Sequence, residues 1–357
     1  MQLALYGGTP VRTRPFPPRH QISMKEKESV LRLLNDAMER GDSFRYQQEM
    51  EETACNKFCE YMGGGYADLV NSGTNAFFVA LGALGISPMS EVVAPAISDE
   101  GGLMPICFQN LVPVQVDTEP GGLNSSLEQI KKGITERTKA ILVTHIGGEV
   151  VELGPIVEYV RDQNLYLIED CSQSYGAEYK GKKVGTFGDI AFFSLGQSKH
   201  ICAGGQGGIV YTLNEELYWR IRSSSDRGKE IPGHDTSVVS AGLNCNMDEL
   251  SAAIASAQIT RLPNIINDCK KVGRGLEYRI KKKCKYVQTI ERPDWIDPSY
   301  WFVCLKVNFK KLNVKKTVFI DALKHEGICA GHWGRIPYKR DWYAKKRAFG
   351  ESGYPWN

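Results

Sequence analysis

The chain lacks every cysteine pattern that would announce a metal or redox centre. It has ten cysteines, at positions 55, 59, 107, 171, 202, 245, 269, 284, 304 and 329, yet no CxxC pair. Cys55 and Cys59 are four apart on an expected helix, but no second Cys/His pair at metal spacing completes a site. The thiols read as reduced and partly used as small apolar residues. No apolar run approaches the roughly 20 residues of a membrane span, and the first residues carry no basic-then-apolar leader. The sequon Asn124-Ser-Ser126 has no meaning without secretion, so a cytoplasmic protein is expected. Charge of one sign is also missing. Lys plus Arg is 44 against 41 for Asp plus Glu, a net +3, which argues against a nucleic-acid partner. The lysine clusters at 270–271, 281–283, 310–311 and 315–316 read as solvated faces. GxGxxG and GxxxxGK[ST] are absent, excluding a dinucleotide fingerprint and a P-loop. Internal repeats and low-complexity tracts are absent too.

What is present is a soluble, globular composition, 42% hydrophobic and 24% charged over 357 residues. That length holds one large domain or two smaller ones. Residues 1–20, rich in Pro and Arg, read as an extended arm. Helices are expected over 24–40 and 50–61. Then an alternation begins: strand 67–70, helix 76–84, strand 91–95, helix 103–109, strand 112–116, helix 126–134, strand 140–145, helix 156–162, strand 165–168. This βαβα rhythm argues a largely parallel sheet covered by helices on both faces. A strand over 209–212, a helix over 215–223, a mobile polar loop over 226–235 and a strong helix over 247–262 follow, with an amphipathic stretch to about 281. The character then changes to short strands (286–289, 301–307) and a helix over 314–326. The expected division is an arm (1–20), a large α/β domain (21–265) and a small C-terminal α+β domain (266–357).

The most informative residue is Lys199. It lies five residues beyond an apolar run ending at Ser194, before the glycine-dense turn Gly204-Gly-Gln-Gly-Gly208. Upstream, the strand Leu165-Tyr-Leu-Ile168 runs into Glu169-Asp170. A lysine and a carboxylate, each at the mouth of an apolar strand, suit pyridoxal-phosphate chemistry: the lysine forms a Schiff base and the acid pairs with the protonated pyridine nitrogen. Burial among Phe192, Phe193 and Leu195 would depress the lysine's pKa toward a usable amine. Asp170 could alternatively be a helix N-cap. Gln173 can donate to the cofactor's phenolate oxygen, or face solvent. Gly73 and Thr74 open a helix and can hold a phosphate there, with Ser194 as a second hydroxyl. His145 reads as a satisfied structural histidine, and His200 can tune the lysine or point away. His332 and Arg335, in a loop rich in polar handles, are candidates for binding substrate hydroxyls or a carboxylate.

These residues resemble the DegT/DnrJ/StrS family of sugar and cyclitol aminotransferases, within the fold type I pyridoxal-phosphate enzymes. The resemblance runs from about Gly7 through Pro337. It rests on Asn71-Ser-Gly-Thr74, Arg137-Thr-Lys-Ala-Ile141 with His145, Ile168-Glu-Asp-Cys-Ser-Gln173 with Gly176-Ala177, Gly185 to Asp189, Phe193-Ser194 to Lys199, Gly204 to Gly208, and Gly242 to Leu250. It implies a three-layer αβα fold and a homodimer with shared active sites. It implies pyridoxal 5′-phosphate held by Lys199, Asp170, Gln173, Gly73, Thr74 and Ser194, with Asn244 reaching the phosphate from the neighbouring subunit. The implied reaction moves an amino group from glutamate or glutamine to a keto-sugar, nucleotide-linked in many relatives, or a keto-cyclitol. Relatives that dehydrate deoxysugars carry histidine at the lysine position, so Lys199 favours transamination.

Three departures stand against that pattern. Asp99 occupies the place of the usual ring that stacks on the cofactor. Gln206 replaces the acid of the glycine turn. The chain stops at Asn357 before relatives end, so a shortened small domain is expected. A non-catalytic relative that binds cofactor or sugar is therefore the competing class, and a lyase or desulfurase of the same fold is a third.

Overall fold

Seven strands form the central sheet of the chain, seen here in a computed structural model that describes residues 2–19, 21–231, 237–332 and 336–357. They are β1 (Tyr66–Val70), β2 (Glu91–Pro95), β3 (Val112–Val116), β4 (Thr138–Thr144), β5 (Tyr166–Asp170), β8 (Ile190–Ser194) and β9 (Gly208–Thr212); a small hairpin, β6 (Glu178–Tyr179) and β7 (Lys182–Lys183), lies outside the sheet. The strand order is β1-β9-β8-β5-β4-β2-β3. β9 runs antiparallel to both its neighbours, and the other pairings are parallel.

Side chains alternate across this sheet, as strand geometry requires. Ile141 and Val143 of β4, Leu167 of β5, and Ala191 and Phe193 of β8 enter one apolar layer with α1 (Met24–Arg40), α2 (Glu49–Met62), α5 (Leu127–Lys131), α6 (Leu153–Asp162) and α8 (Glu249–Lys283). Leu142, Ile168, Ile190 and Phe192 enter the other, with α3 (Gly73–Leu84), α4 (Met104–Phe108) and α7 (Glu215–Ser225). Phe192 stacks on Phe77 at 4.8 Å, and Phe193 meets Phe58 edge-on at 5.0 Å. Both faces are covered, which gives the expected three-layer αβα architecture.

Several expectations are corrected by packing. The strong helix expected to Leu262 and the amphipathic stretch expected to about 281 form one helix, α8, which runs through Pro263 to Lys283. A proline inside a helix costs about 3 kcal/mol. Here buried Ile259, Leu262 and Ile266 anchor both sides of it in the core. The expected boundary at 265/266 thus falls within α8. The strand expected over 301–307 shrinks to β12 (Leu305–Val307), paired with β10 (Val287–Thr289). Residues 299–302 instead hold this part of the chain against the loop after β4. Tyr300 takes a positive φ, Ser299 N–H donates to Gly148 O at 3.1 Å, and the Phe302 ring lies where a Cβ on Gly147 would stand.

Beyond β11 (Ile296–Asp297), α9 (Phe309–Leu312) and α10 (Lys316–His325), the chain returns to the edge of the central sheet. Tyr343, in α11 (Asp341–Ala344), donates to Pro113 O on edge strand β3 at 3.0 Å. Phe349 packs against Phe108 of α4 at 5.6 Å. Of the polar loop expected over 226–235, residues 232–235 lie outside the described residues. No described helix is long and apolar enough to cross a membrane.

Candidate functional site

The carboxyl ends of β4, β5 and β8 and the start of α3 converge, as parallel sheets place their sites. Asp170 ends β5 and is 6% exposed. The Ser172 backbone N–H donates to its Oδ1 at 3.0 Å, and the Thr144 hydroxyl approaches Oδ2 at 3.4 Å. Burial pushes this carboxyl above its usual range, while Ser172 and the charge of Lys199 pull it down. Lys199 is half-buried on the turn after β8, and burial lowers its pKa against the opposing attraction of Asp170. The sequence-predicted acid and lysine therefore share one electrostatic environment. A buried carboxylate with few donors is a site for a cation, and desolvation makes an amine a readier nucleophile.

Gly73 begins α3, and Ser72 caps that helix by accepting from Asn75 N–H at 3.1 Å. The first-turn N–H groups of Gly73 and Thr74 have no acceptor within the helix. An added Cβ on Gly73 would lie 2.7 Å from Ser194 Cβ and 2.8 Å from its Oγ. The end of β8 thus presses against the helix start, gathering these donors in one cradle. Ser194 Oγ accepts from Gly196 N–H at 3.3 Å, which leaves its own proton to donate outward. Gln173 is 3% exposed and its Oε1 accepts from Gly147 N–H at 2.7 Å. That contact fixes the amide so that its NH2 is the remaining donor.

The expected structural histidine is seen as such. His145 is fully buried; its Nδ1 accepts from Val151 N–H at 3.1 Å and its Nε2 lies 3.1 Å from Glu169 Oε2. Glu169 also accepts from the N–H groups of Gly185, Phe187 and Gly188. Burial alone would raise the Glu169 carboxyl, but these bonds hold it below its usual value. Cys171 completes a buried trio with His145 and Glu169, but the ring and carboxylate are already engaged by protein donors and acceptors. His200 is buried beside Lys199, edge-on to Tyr175 at 6.0 Å, and burial lowers its pKa to about 4, so the ring is neutral.

The remaining predicted residues stand apart. Asn244 is exposed, its Oδ1 accepting from Asn246 Nδ2 at 2.8 Å. His332 is exposed, and Arg335 lies outside the described residues. Asp99 turns its Oδ1 onto Gly101 N–H at 3.0 Å, and its neighbour Glu100 pairs with Arg340 at 3.0 Å. Residues that sequence reasoning missed are Thr144, Ser172, Arg19, Gln21 and Trp301. The last three contact the Lys199 turn from far along the chain, and no local pattern marks them.

Comparison with known proteins identifies the family. A model of the DegT/DnrJ/EryC1/StrS aminotransferase family matches residues 24–353. GDP-perosamine synthase of Escherichia coli O157:H7 is 33% identical over 295 residues, 81% of this chain and 78% of that protein. L-glutamine:2-deoxy-scyllo-inosose aminotransferase of Streptoalloteichus tenebrarius is 32% identical over 272 residues, 73% of this chain but 64% of that protein. Among solved structures, an aminotransferase from Psychrobacter cryohalolentis superimposes with a TM-score of 0.76 at 27% identity, covering 85% of this chain and 79% of that one.

Proposed function

We infer the function from one premise: the chain belongs to the DegT/DnrJ/EryC1/StrS aminotransferase family. Its fold is that of the fold type I aminotransferases. The reading is a pyridoxal-phosphate-dependent transaminase that moves an amino group from glutamate or glutamine to a keto-sugar or keto-cyclitol. The observation that carries it is the convergence of Lys199, Asp170, Gln173, Ser194 and the α3 N-terminus at the ends of β5 and β8. The names of the two curated relatives, a perosamine synthase and an inosose aminotransferase, support the acceptor class.

Pyridoxal phosphate, when bound, supplies an aldehyde and an electron-accepting ring. Lys199 Nζ would hold the aldehyde carbon and Asp170 the ring nitrogen. Gln173 would donate its NH2 to the ring oxygen. Gly73, Thr74 and Ser194 would donate to the phosphate, joined by Asn244 of a second copy in a homodimer with shared sites. Freed by the amino donor, Lys199 Nζ would take a proton from the donor Cα as base and then, as acid, deliver it to the carbon that the aldehyde supplies. Asp170 would face the ring nitrogen and favour its protonated form. His332 and Arg335 are assigned to the acceptor, and the protein to the cytoplasm.

The test is borohydride reduction of the protein with pyridoxal phosphate, followed by peptide mapping. Label on Lys199, a visible band that shifts with glutamate or glutamine, and loss of label and turnover in Lys199→Ala are expected. Folded protein with no band, or label on another lysine, would overturn the assignment.

A further inference from the structure

The turn that carries Lys199 is held from outside itself. Arg19 in the N-terminal arm donates Nη1 to Ser198 O at 3.0 Å and Nη2 to Lys199 O at 2.7 Å. Gln21 Nε2 donates to Lys199 O at 3.1 Å. From the small domain, the indole N–H of Trp301 donates to Ser198 O at 2.8 Å. Lys199 Nζ stands 4.6 Å from the centroid of the same indole. One side chain therefore grips both the carbonyl just before the lysine and the lysine's amine. An ammonium over an indole face is attracted by the ring's negative face, so the ring favours one place and the charged form. The other charged or titratable groups facing this amine are Asp170 at the end of β5, neutral His200 beside it, and Arg19 of the arm, which faces the turn.

We propose that Trp301 is a positioning residue for Lys199: its ring face fixes where Nζ waits, and its N–H, with Arg19 and Gln21, fixes the Ser198–Lys199 carbonyls. This rests on the reading of Lys199 as the cofactor-binding lysine. It adds that the small domain and the arm, not only the sheet, set the reactive amine.

The experiment uses the cofactor-free protein. The rate of trinitrobenzenesulfonate labelling at Lys199 is followed against pH by peptide mapping. Trp301→Leu keeps an apolar wall and removes the aromatic face. Loss of a face that favours the charged amine lowers the pH at which the amine becomes reactive, by about 0.7 unit, or about fivefold faster labelling below the midpoint. Trp301→Phe keeps a ring face and should stay within about twofold of the wild type. An unchanged midpoint in Trp301→Leu overturns the proposal. Should the leucine variant fail to fold, global incorporation of difluorotryptophan, similar in shape with a weaker ring face, must move the midpoint the same way; no movement overturns the proposal equally. Borohydride trapping of pyridoxal phosphate on wild-type Lys199 separates the two readings. Trapping without a midpoint shift sinks the Trp301 role alone. A shift without trapping supports the hold on the amine and sinks the functional assignment.

Discussion

Gly73→Ala tests the phosphate cradle through a single methyl group. Gly73 lies outside the left-handed region, so alanine meets no backbone strain, and alanine is the better helix former by up to about 1 kcal/mol. The added Cβ would nevertheless lie 2.7 Å from Ser194 Cβ, 2.8 Å from Oγ and 3.2 Å from Cα. Reaching an ordinary contact of 3.4 Å requires about 0.7 Å of movement. Because Cα is crowded as well, a rotamer change of Ser194 does not suffice, and the end of β8 must shift. Overpacking of this kind costs about 1–3 kcal/mol, so the net destabilisation is about 0–2 kcal/mol and the variant folds. Displacing the Ser194 hydroxyl from a bound phosphate forfeits one charge-assisted hydrogen bond, about 1.5–3 kcal/mol. The affinity for pyridoxal phosphate should therefore fall about 10- to 100-fold. The assay is titration of cofactor-free protein followed by visible absorbance, with thermal unfolding measured alongside. Gly205→Ala is the control, since nothing lies within 4 Å of its added Cβ. Wild-type affinity in folded Gly73→Ala would refute the placement of the phosphate between α3 and β8.

Two further predictions concern the frame around the site. Glu51 is 1% exposed and faces buried Asp68, with Arg222 Nη1 3.7 Å from Glu51 and 3.3 Å from Asp68. Burial, reinforced by the Asp68 charge, raises the Glu51 pKa from 4.5 to about 8. The unfolded chain releases this proton near pH 4.5 and the folded protein near pH 8, so stability falls as pH rises through that window, by up to about 1.4 kcal/mol per unit. Glu51→Gln should flatten that slope in urea unfolding at pH 5 and pH 8, and parallel slopes in the two proteins would contradict it. Glu249, in the first turn of α8, caps α2 by accepting from the N–H groups of Gln48, Met50 and Glu51 at 3.2, 2.8 and 3.2 Å. Glu249→Ala should destabilise by about 2–4 kcal/mol and Glu249→Gln by less; an alanine variant within 0.5 kcal/mol of the wild type, a difference of about the size of a neutral surface change, would show that the cap is redundant.

Legibility followed the range of the determining interactions. β2 and β3 stand at their expected bounds because apolar runs broken by turn residues are local signals. Asp170 and Ser194 end β5 and β8 as their apolar runs lead one to expect, with Gly73 and Lys199 three and five residues past strand ends, and parallel sheets place sites at such points. The amphipathic stretch to about 281 was readable, but its unbroken joining to the preceding helix through Pro263 was not, since a proline argues for an end and only the burial of Ile259, Leu262 and Ile266 overrides it. Trp301 resembled a strand residue because aromatic and β-branched neighbours surround it, yet its geometry is set by the docking of Ser299 and Phe302 on Gly148 and Gly147. Arg19 and Glu249 act on partners about 180 and 200 residues away in sequence, and no window along the chain shows such a pairing.

The glycine turn after Lys199 illustrates how a correct local reading acquires a different physical meaning. In the sequence, the turn stands out only by its density beside the lysine and as one motif of the family resemblance. In the fold, Gly208 begins β9, the one antiparallel strand of the sheet, paired with Ser194 of β8 on one side and Val70 of β1 on the other. A Cβ there would lie 2.4 Å from Ser72 O and 3.0 Å from the Ala76 Cβ. The turn from β1 into α3 must pass over β9 to bring Gly73 against Ser194, and only a residue without a side chain lets it pass. The last glycine of the turn is thus required less by the lysine than by the closure of two segments about 120 residues apart into one cradle. The same substitution-intolerant contact explains why the antiparallel strand is compatible with a site otherwise built on parallel strand ends: β9 contributes no functional side chain there, only the absence of one.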